Sequence, residues 1–166
     1  MNGWEYIEEV ILMLVLLMVT AFCSAAETAY SAALPEKLRK MSDENKFGAN
    51  LATRLQKNFD EALSSILIAN TVVCVALSSV GAVVFGDIVG SDEYGAAVSG
   101  VILTVFLLLF GEISPKLLAK ELAEKTACFL AYPLSFMVLL LKPFCFMISF
   151  WKSLLIRFFK NLFEKQ

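Results

Sequence analysis

Histidine is absent from the 166 residues of this chain. The usual acid–base group of neutral-pH catalysis and the commonest transition-metal ligand are therefore missing. Charge is scarce as well: Asp, Glu, Lys and Arg make up 18% of the chain, against about 25% in soluble globular domains. The four cysteines, Cys23, Cys74, Cys128 and Cys145, are scattered through apolar stretches with no CxxC spacing. That excludes a cysteine zinc motif and speaks against a disulfide framework, leaving small buried hydrophobes. Internal repeats and low-complexity tracts are lacking too. What the chain does have is apolar residues, 58% of the total, gathered in long blocks. This composition argues against a disordered chain and a soluble enzyme, and points to an all-α integral membrane domain.

The net charge of −2 says little; the placement of the charges says more. Six of the 14 basic residues lie between Lys37 and Lys57 and eight between Lys116 and Lys165. None occurs from Met1 to Glu36 or from Asn58 to Pro115, where Glu5, Glu8, Glu9, Asp87, Asp92 and Glu93 sit instead. Lys and Arg are retained on the cytoplasmic side of membrane helices. The pattern therefore predicts an outside N-terminus, a cytoplasmic C-terminus and three crossings of a plasma or inner membrane.

The first apolar run, Val10 to Ala33, is long enough to span a bilayer. Ser24-Ala25-Ala26 resembles a signal-peptide cleavage site, but the residues before the run are acidic and the run continues past that point, which favours a true helix. Trp4 and Tyr6 are its expected outer anchors. Residues 35–60 are polar, with Leu34, Leu38, Met41, Phe47, Leu51 and Leu55 at near-helical spacing. They predict an amphipathic helix pair on the inner membrane surface, broken at Gly48, with a solvated linker as the alternative. A second run, Ala62 to Phe85, ends in the Gly-flanked acidic stretch from Gly86 to Gly95, an outer loop. A third, from Ala96, passes through Gly111-Glu112-Ile113-Ser114-Pro115, where glycine and proline predict a helix break at Pro115. A fourth stretch, Ala127 to Trp151, is interrupted by Pro133, Lys142 and Pro143. A fourth crossing would carry Lys152, Arg157, Lys160 and Lys165 outside, so a re-entrant or interfacial hairpin on the inner side is expected. The division is thus a three-helix transmembrane domain over 1–125 and juxtamembrane belt helices over 126–166.

Three polar groups interrupt the apolar runs, and an ionisable residue at membrane depth is a functional candidate by default. Thr20, Ser24, Glu27 and Ser31 share one face of the first helix, among small alanines that suit either close helix packing or a site. Asn70, followed by Thr71 and Cys74, fits a cation ligand and an interhelical hydrogen-bonding amide equally well. Glu112 stands beside a glycine–proline pair expected to free backbone carbonyls, and such carbonyls persist at membrane depth only where protein, water or an ion satisfies them. Carboxylate, carbonyl, amide and hydroxyl oxygens suit Mg²⁺, Ca²⁺ or Na⁺. An enzyme is not expected, because no nucleophile motif accompanies the carboxylates.

The ordered set Phe22-Cys23-Ser24-Ala25-Ala26-Glu27-Thr28-Ala29, Ile68-Ala69-Asn70-Thr71 and Gly111-Glu112-Ile113-Ser114-Pro115-Lys116 resembles the membrane domain of the cyclin M (CNNM)/CorC family of magnesium transporters. The resemblance covers roughly residues 5–160. It implies three membrane helices, a belt of inner juxtamembrane helices, a homodimer in the lipid bilayer, and Na⁺-coupled Mg²⁺ export. It implies Ser24, Asn70 and Glu112 as side-chain ligands of Mg²⁺, with the Gly111 carbonyl beside them, and Glu27, with Ser31 and Thr71, in ion coupling. Three positions differ from the family pattern: Ala25 and Ala69 stand where glycine is usual, and Cys74 replaces a second asparagine. Family members continue into tandem CBS domains that bind ATP and Mg²⁺. This chain stops at Gln166, so ATP binding is expected only through CBS domains absent from it, and no nucleic-acid partner is expected. Two other functions fit the same residues: a membrane-anchored Mg²⁺-binding regulator of another channel, and a transporter of another cation.

Overall fold

The computed structural model describes residues 3–89 and 93–163, with side-chain detail at residues 4, 7–86 and 100–144. Every described element is helical: α1 (Gly3–Ala32), α2 (Pro35–Asp43), α3 (Ala49–Lys57), α4 (Phe59–Val89), α5 (Glu93–Phe106), a π-helical segment (Leu107–Ile113), α6 (Ser114–Glu121) and α7 (Ala123–Phe163). Residues 90–92 of the expected outer loop, and the side chains of Tyr6, Lys152, Arg157, Lys160 and Lys165, lie outside the described residues.

Helix α1 runs without interruption because no glycine or proline occurs between Gly3 and Pro35. It stops where Pro35 forces the residue before it out of the helical region: Leu34 is extended at φ −79°, ψ 121°. Pro35 then starts α2, where its missing N–H costs nothing. The turn from α2 to α3 is a Schellman motif. Asn45 adopts φ 55°, the Asn45 N–H donates to the Ser42 carbonyl and the Lys46 N–H to the Met41 carbonyl, both at 3.0 Å. Gly48 follows at φ 71°, and a β-carbon there would run into the backbone carbonyl of Cys128. The polar stretch therefore folds as the expected helix pair, with Gly48 both breaking it and letting it approach α7.

Helix α1 packs most extensively on α4 and also touches α6 and α7, while α3 lies along α7. The buried cluster is rich in alanine: Ala26 and Ala29 of α1, Ala33 just after it, Ala49 and Ala52 of α3, Ala119 of α6, and Ala123, Ala127 and Ala131 of α7. Small side chains let backbones approach closely, the usual way helices adhere in lipid. Tyr30, fully buried, donates its hydroxyl to the Ala127 carbonyl at 3.0 Å and ties α1 to α7. Lys37 and Glu124 pair at 3.1 Å and tie α2 to the start of α7. All of this lies at the end of the bundle that carries α2 and α3. Large apolar side chains stay exposed along the outside of the bundle: Met18 is 74% exposed on α1, Val101 66% on α5 and Phe129 71% on α7.

Among the described residues, four helical segments are long and apolar enough to cross a membrane: Ile7–Ala32, Phe59–Gly86, Gly100–Glu121 and Ala123–Phe144. The first three coincide with the segments expected to cross, and the fourth qualifies by the same length and composition. Two expectations need correction. The last stretch is no re-entrant hairpin: α7 continues through both Pro133 and Pro143 for 41 residues. A proline removes one helical hydrogen bond, whereas a chain reversal in an apolar medium strips several backbone groups of partners. Nor does the third membrane helix break at Pro115. Ile113 and Ser114 keep right-handed helical angles, and the Ser114 N–H donates to Leu109, five residues back. The chain widens into a π turn, which makes room for the proline ring without ending the helix.

Candidate functional site

The polar groups of α1, α4 and the π segment meet in mid-bundle. Gly111 is the buried member of the π segment. A β-carbon on it would meet Thr20 Cγ2 at 3.3 Å and Leu17 Cδ1 at 3.4 Å, so glycine brings this turn against α1. Pro115 has no N–H, so the carbonyls of the Phe110–Gly111 turn lack one helical donor. Glu112, half-buried, follows directly. On α4, the Cys74 thiol donates to the Asn70 amide oxygen at 3.9 Å and lies close enough to Thr20 and Glu112 to interact with both. Thr20, Asn70, Cys74, Gly111 and Glu112 therefore form one neighbourhood built by three elements.

Ser24 lies one turn beyond Thr20, is 1% exposed, and its Oγ has no hydrogen-bond partner. Other helical hydroxyls behave differently. Thr20 donates to Leu16, Thr71 to Leu67, Ser78 to Cys74 and Thr104 to Gly100, each to the carbonyl four residues back. A buried polar group left unpaired costs on the order of 1–3 kcal/mol. Among the predicted ligands, Ser24 has a fully buried side-chain oxygen left without a partner.

The three residues tied to ion coupling do not stay together. Glu27 pairs with Lys116 of α6 at 3.4 Å, both partly exposed. With Ser31, Thr28, Ala32 and Lys120 they line an open cavity of about 320 Å³ at the α2–α3 end. Thr71 is elsewhere, exposed on α4 with its hydroxyl bonded to Leu67. Sequence reasoning missed the Glu27–Lys116 pair, because nothing in either local segment signals it. It also missed the π turn, for which Gly111 and Pro115 were the available signal, and the Tyr30 latch, whose signal was a tyrosine inside an alanine stripe.

Among the described residues, no three of His, Cys, Asp and Glu gather into a metal cluster. A cation in this neighbourhood would draw on hydroxyl, amide and carbonyl oxygens beside the Glu112 carboxylate, a set suited to hard ions.

The family model of the cyclin M transmembrane N-terminal domain matches residues 11–166. The chain belongs to this family. Similar proteins include a UPF0053 protein of Haemophilus influenzae, 31% identical over 87% of this chain and 34% of its own length. The UPF0053 inner membrane protein YfjD of Escherichia coli is 28% identical over 84% of this chain and 32% of its own. A chloroplastic DUF21 domain-containing protein of Arabidopsis thaliana is 30% identical over 82% of this chain and 20% of its own. This cyclin M domain thus spans about a third of the two bacterial relatives. The motifs that carried the resemblance fall on α1, on α4 and across the π segment into the start of α6; α1, α4 and the π segment build the polar neighbourhood.

Proposed function

We propose that this chain is the membrane domain of a Na⁺-coupled Mg²⁺ exporter, with an intramembrane Mg²⁺ site made by Ser24, Asn70, Glu112 and the Gly111 carbonyl. The observation that carries the reading is the unpartnered, buried Ser24 hydroxyl, one turn from the contact of Thr20 with Gly111. A hydroxyl that ignores its own helix is suited to a ligand. The π turn adds a carbonyl short of a donor and Glu112 adds the charge. Mg²⁺ holds its water strongly and prefers octahedral oxygen geometry, so the protein oxygens would replace part of a retained water shell. No bond is made or broken; the chain moves an ion.

In this reading α1, α4 and the α5–α6 helix cross the membrane, and the α2–α3 end faces the cytoplasm. The buried residues of α7, Ala123 to Leu134, share one cluster with the α2–α3 ends of α1 and α4. That supports α7 as a belt along the cytoplasmic face, as the charge pattern requires. Two copies form the transporter, and the exposed apolar faces of α4 and α5 suit lipid and a second copy. Glu27, paired with Lys116, holds the cytoplasmic cavity and couples Na⁺ entry to release of the pair. Liposomes containing only this protein test the proposal. Under an inward Na⁺ gradient the wild type should move Mg²⁺, and Glu112→Ala should abolish the flux while remaining helical. Flux unchanged in that variant overturns the site; Mg²⁺ binding without flux in the wild type overturns transport in favour of a regulator.

A further inference from the structure

A second polar cavity lies between α2 and α3, away from the ion site. It has a volume of about 270 Å³ and is lined by Pro35, Leu38, Arg39, Thr53, Gln56 and Lys57. Two cations line it and no carboxylate does. Of the other basic residues on or between these two helices, Lys37 pairs with Glu124 and Lys46 with Glu44, while Lys40 and Arg54 lie outside the cavity lining. Neither Arg39 nor Lys57 pairs with the carboxylates that Lys37, Lys46 and Lys116 engage. The Thr53 hydroxyl donates to Ala49 and so offers the cavity only an acceptor. The Gln56 Oε1 is buried and unpartnered. The cavity thus combines two positive charges with an unsatisfied acceptor. That combination fits a phosphate whose neighbouring atoms carry a hydrogen-bond donor.

The position decides where such a phosphate comes from. Pro35 stands three residues after the end of the first apolar span, and Lys57 two residues before the start of the second. At about 1.5 Å per residue, and taking the ends of these two spans as the hydrocarbon boundary, both lie within a few ångströms of it, at the depth of lipid headgroups. Pro35 and Leu38 supply apolar contacts on the same cavity. Basic pockets at the inner ends of membrane helices are sites for anionic headgroups.

We propose that the α2–α3 cavity binds the headgroup of an anionic phospholipid, with Arg39 and Lys57 on the phosphate and Gln56 accepting from a headgroup hydroxyl, as a phosphatidylglycerol supplies. Because α3 lies along α7 and α2 is tied to it through Lys37 and Glu124, a bound headgroup would brace this end of the bundle. The assignment does not depend on the ion site.

The test is calorimetric titration of the purified full chain in neutral detergent with dihexanoyl-phosphatidylglycerol, dihexanoyl-phosphatidylcholine and glycerol phosphate. The phosphatidylglycerol should bind at least tenfold more tightly than the phosphatidylcholine. Arg39→Gln with Lys57→Gln should erase that preference. Lys40→Gln with Arg54→Gln, the same charge change outside the cavity lining, should retain it. Gln56→Leu should weaken phosphatidylglycerol binding severalfold and leave phosphatidylcholine binding unchanged. Circular dichroism checks that each variant stays helical; if the cavity pair does not, the single substitutions carry the same comparison. Equal binding of the two lipids by the wild type overturns the proposal. So does equal loss in both double variants, which would mean diffuse attraction rather than a site. Glycerol phosphate binding as tightly as the lipid would overturn the membrane source and make the cavity a site for a soluble phosphate ester.

Discussion

From Thr20 to its end, α1 buries Thr20, Cys23, Ser24, Ala26, Ala29 and Tyr30 in the bundle, and Ala33 just after it is buried too. From Ile7 to Met18 the same helix is exposed or half-buried at every position. The amino-acid types change with it: alanine, serine and threonine in the first part, leucine, valine, isoleucine and methionine in the second. Both parts are apolar enough for a membrane, yet they answer different demands. Where protein packs on protein, small side chains bring backbones close and dispersion contacts hold the helices together. Where lipid or a second copy is the neighbour, large side chains fill the boundary and close approach is not needed. The candidate ion site sits at the junction, where packing is tight enough to fix Gly111 against Thr20, with Thr20 and Ser24 buried and Asn70 and Glu112 half-buried.

Substitutions at the two ends can break this contrast. The largest effect is expected at Gly48, where Ala would place a β-carbon against the Cys128 carbonyl at a φ of 71°. Left-handed strain alone costs on the order of 1–3 kcal/mol. With the backbone clash added, Gly48→Ala should destabilise by about 3 kcal/mol, read from denaturant titration in mixed micelles. A loss below about 1 kcal/mol would mean that α3 is not held against α7 as described.

Next comes Tyr30→Phe, which deletes the hydroxyl bonded to Ala127 and keeps the ring. Loss of one buried hydrogen bond should cost about 1 kcal/mol; no change in thermal midpoint would remove the latch from the account. Smaller still in stability is Lys116→Gln. The Glu27–Lys116 pair is partly exposed, and such pairs contribute about 0–1 kcal/mol. Its main effect should be on function, a changed Na⁺ dependence of Mg²⁺ flux with the fold intact; an unaltered Na⁺ dependence would separate the pair from coupling. The smallest effect is expected at the lipid-facing end. Val101→Ala, at a 66% exposed position, should change stability by less than about 0.5 kcal/mol. A loss above about 1 kcal/mol, joined to dissociation in light scattering, would place α5 in a contact between copies.

Much of the fold is legible in the chain itself. The long runs of α1 and α4, the third span, and the paired short helices around Gly48 all follow from apolar length, helical spacing and a single glycine. The passages around proline were not legible. Pro115, Pro133 and Pro143 all suggested interruptions, and in each case the helix continues, once through a π turn. Proline reports a lost hydrogen bond, but whether a helix then breaks depends on what else could satisfy the backbone, and among apolar neighbours little could. At the site, Ser24, Asn70, Gly111 and Glu112 were singled out by residue type and membrane depth. That Cys74 reaches both Asn70 and Thr20 was not, because it depends on how α1 and α4 are rotated against each other.

Sequence alone determined that this is a helical membrane domain, because apolar segments of that length can satisfy their backbone in lipid only as helices. It also determined family membership, since the family model matches residues 11–166 from the sequence alone. Tertiary structure alone decided which polar groups find partners. Glu27 is neutralised by Lys116 from a distant helix, while Ser24 is buried without one. The reason is physical: a side chain's residue type sets what it can bond to, but only the packing of helices far apart in sequence sets what lies within reach.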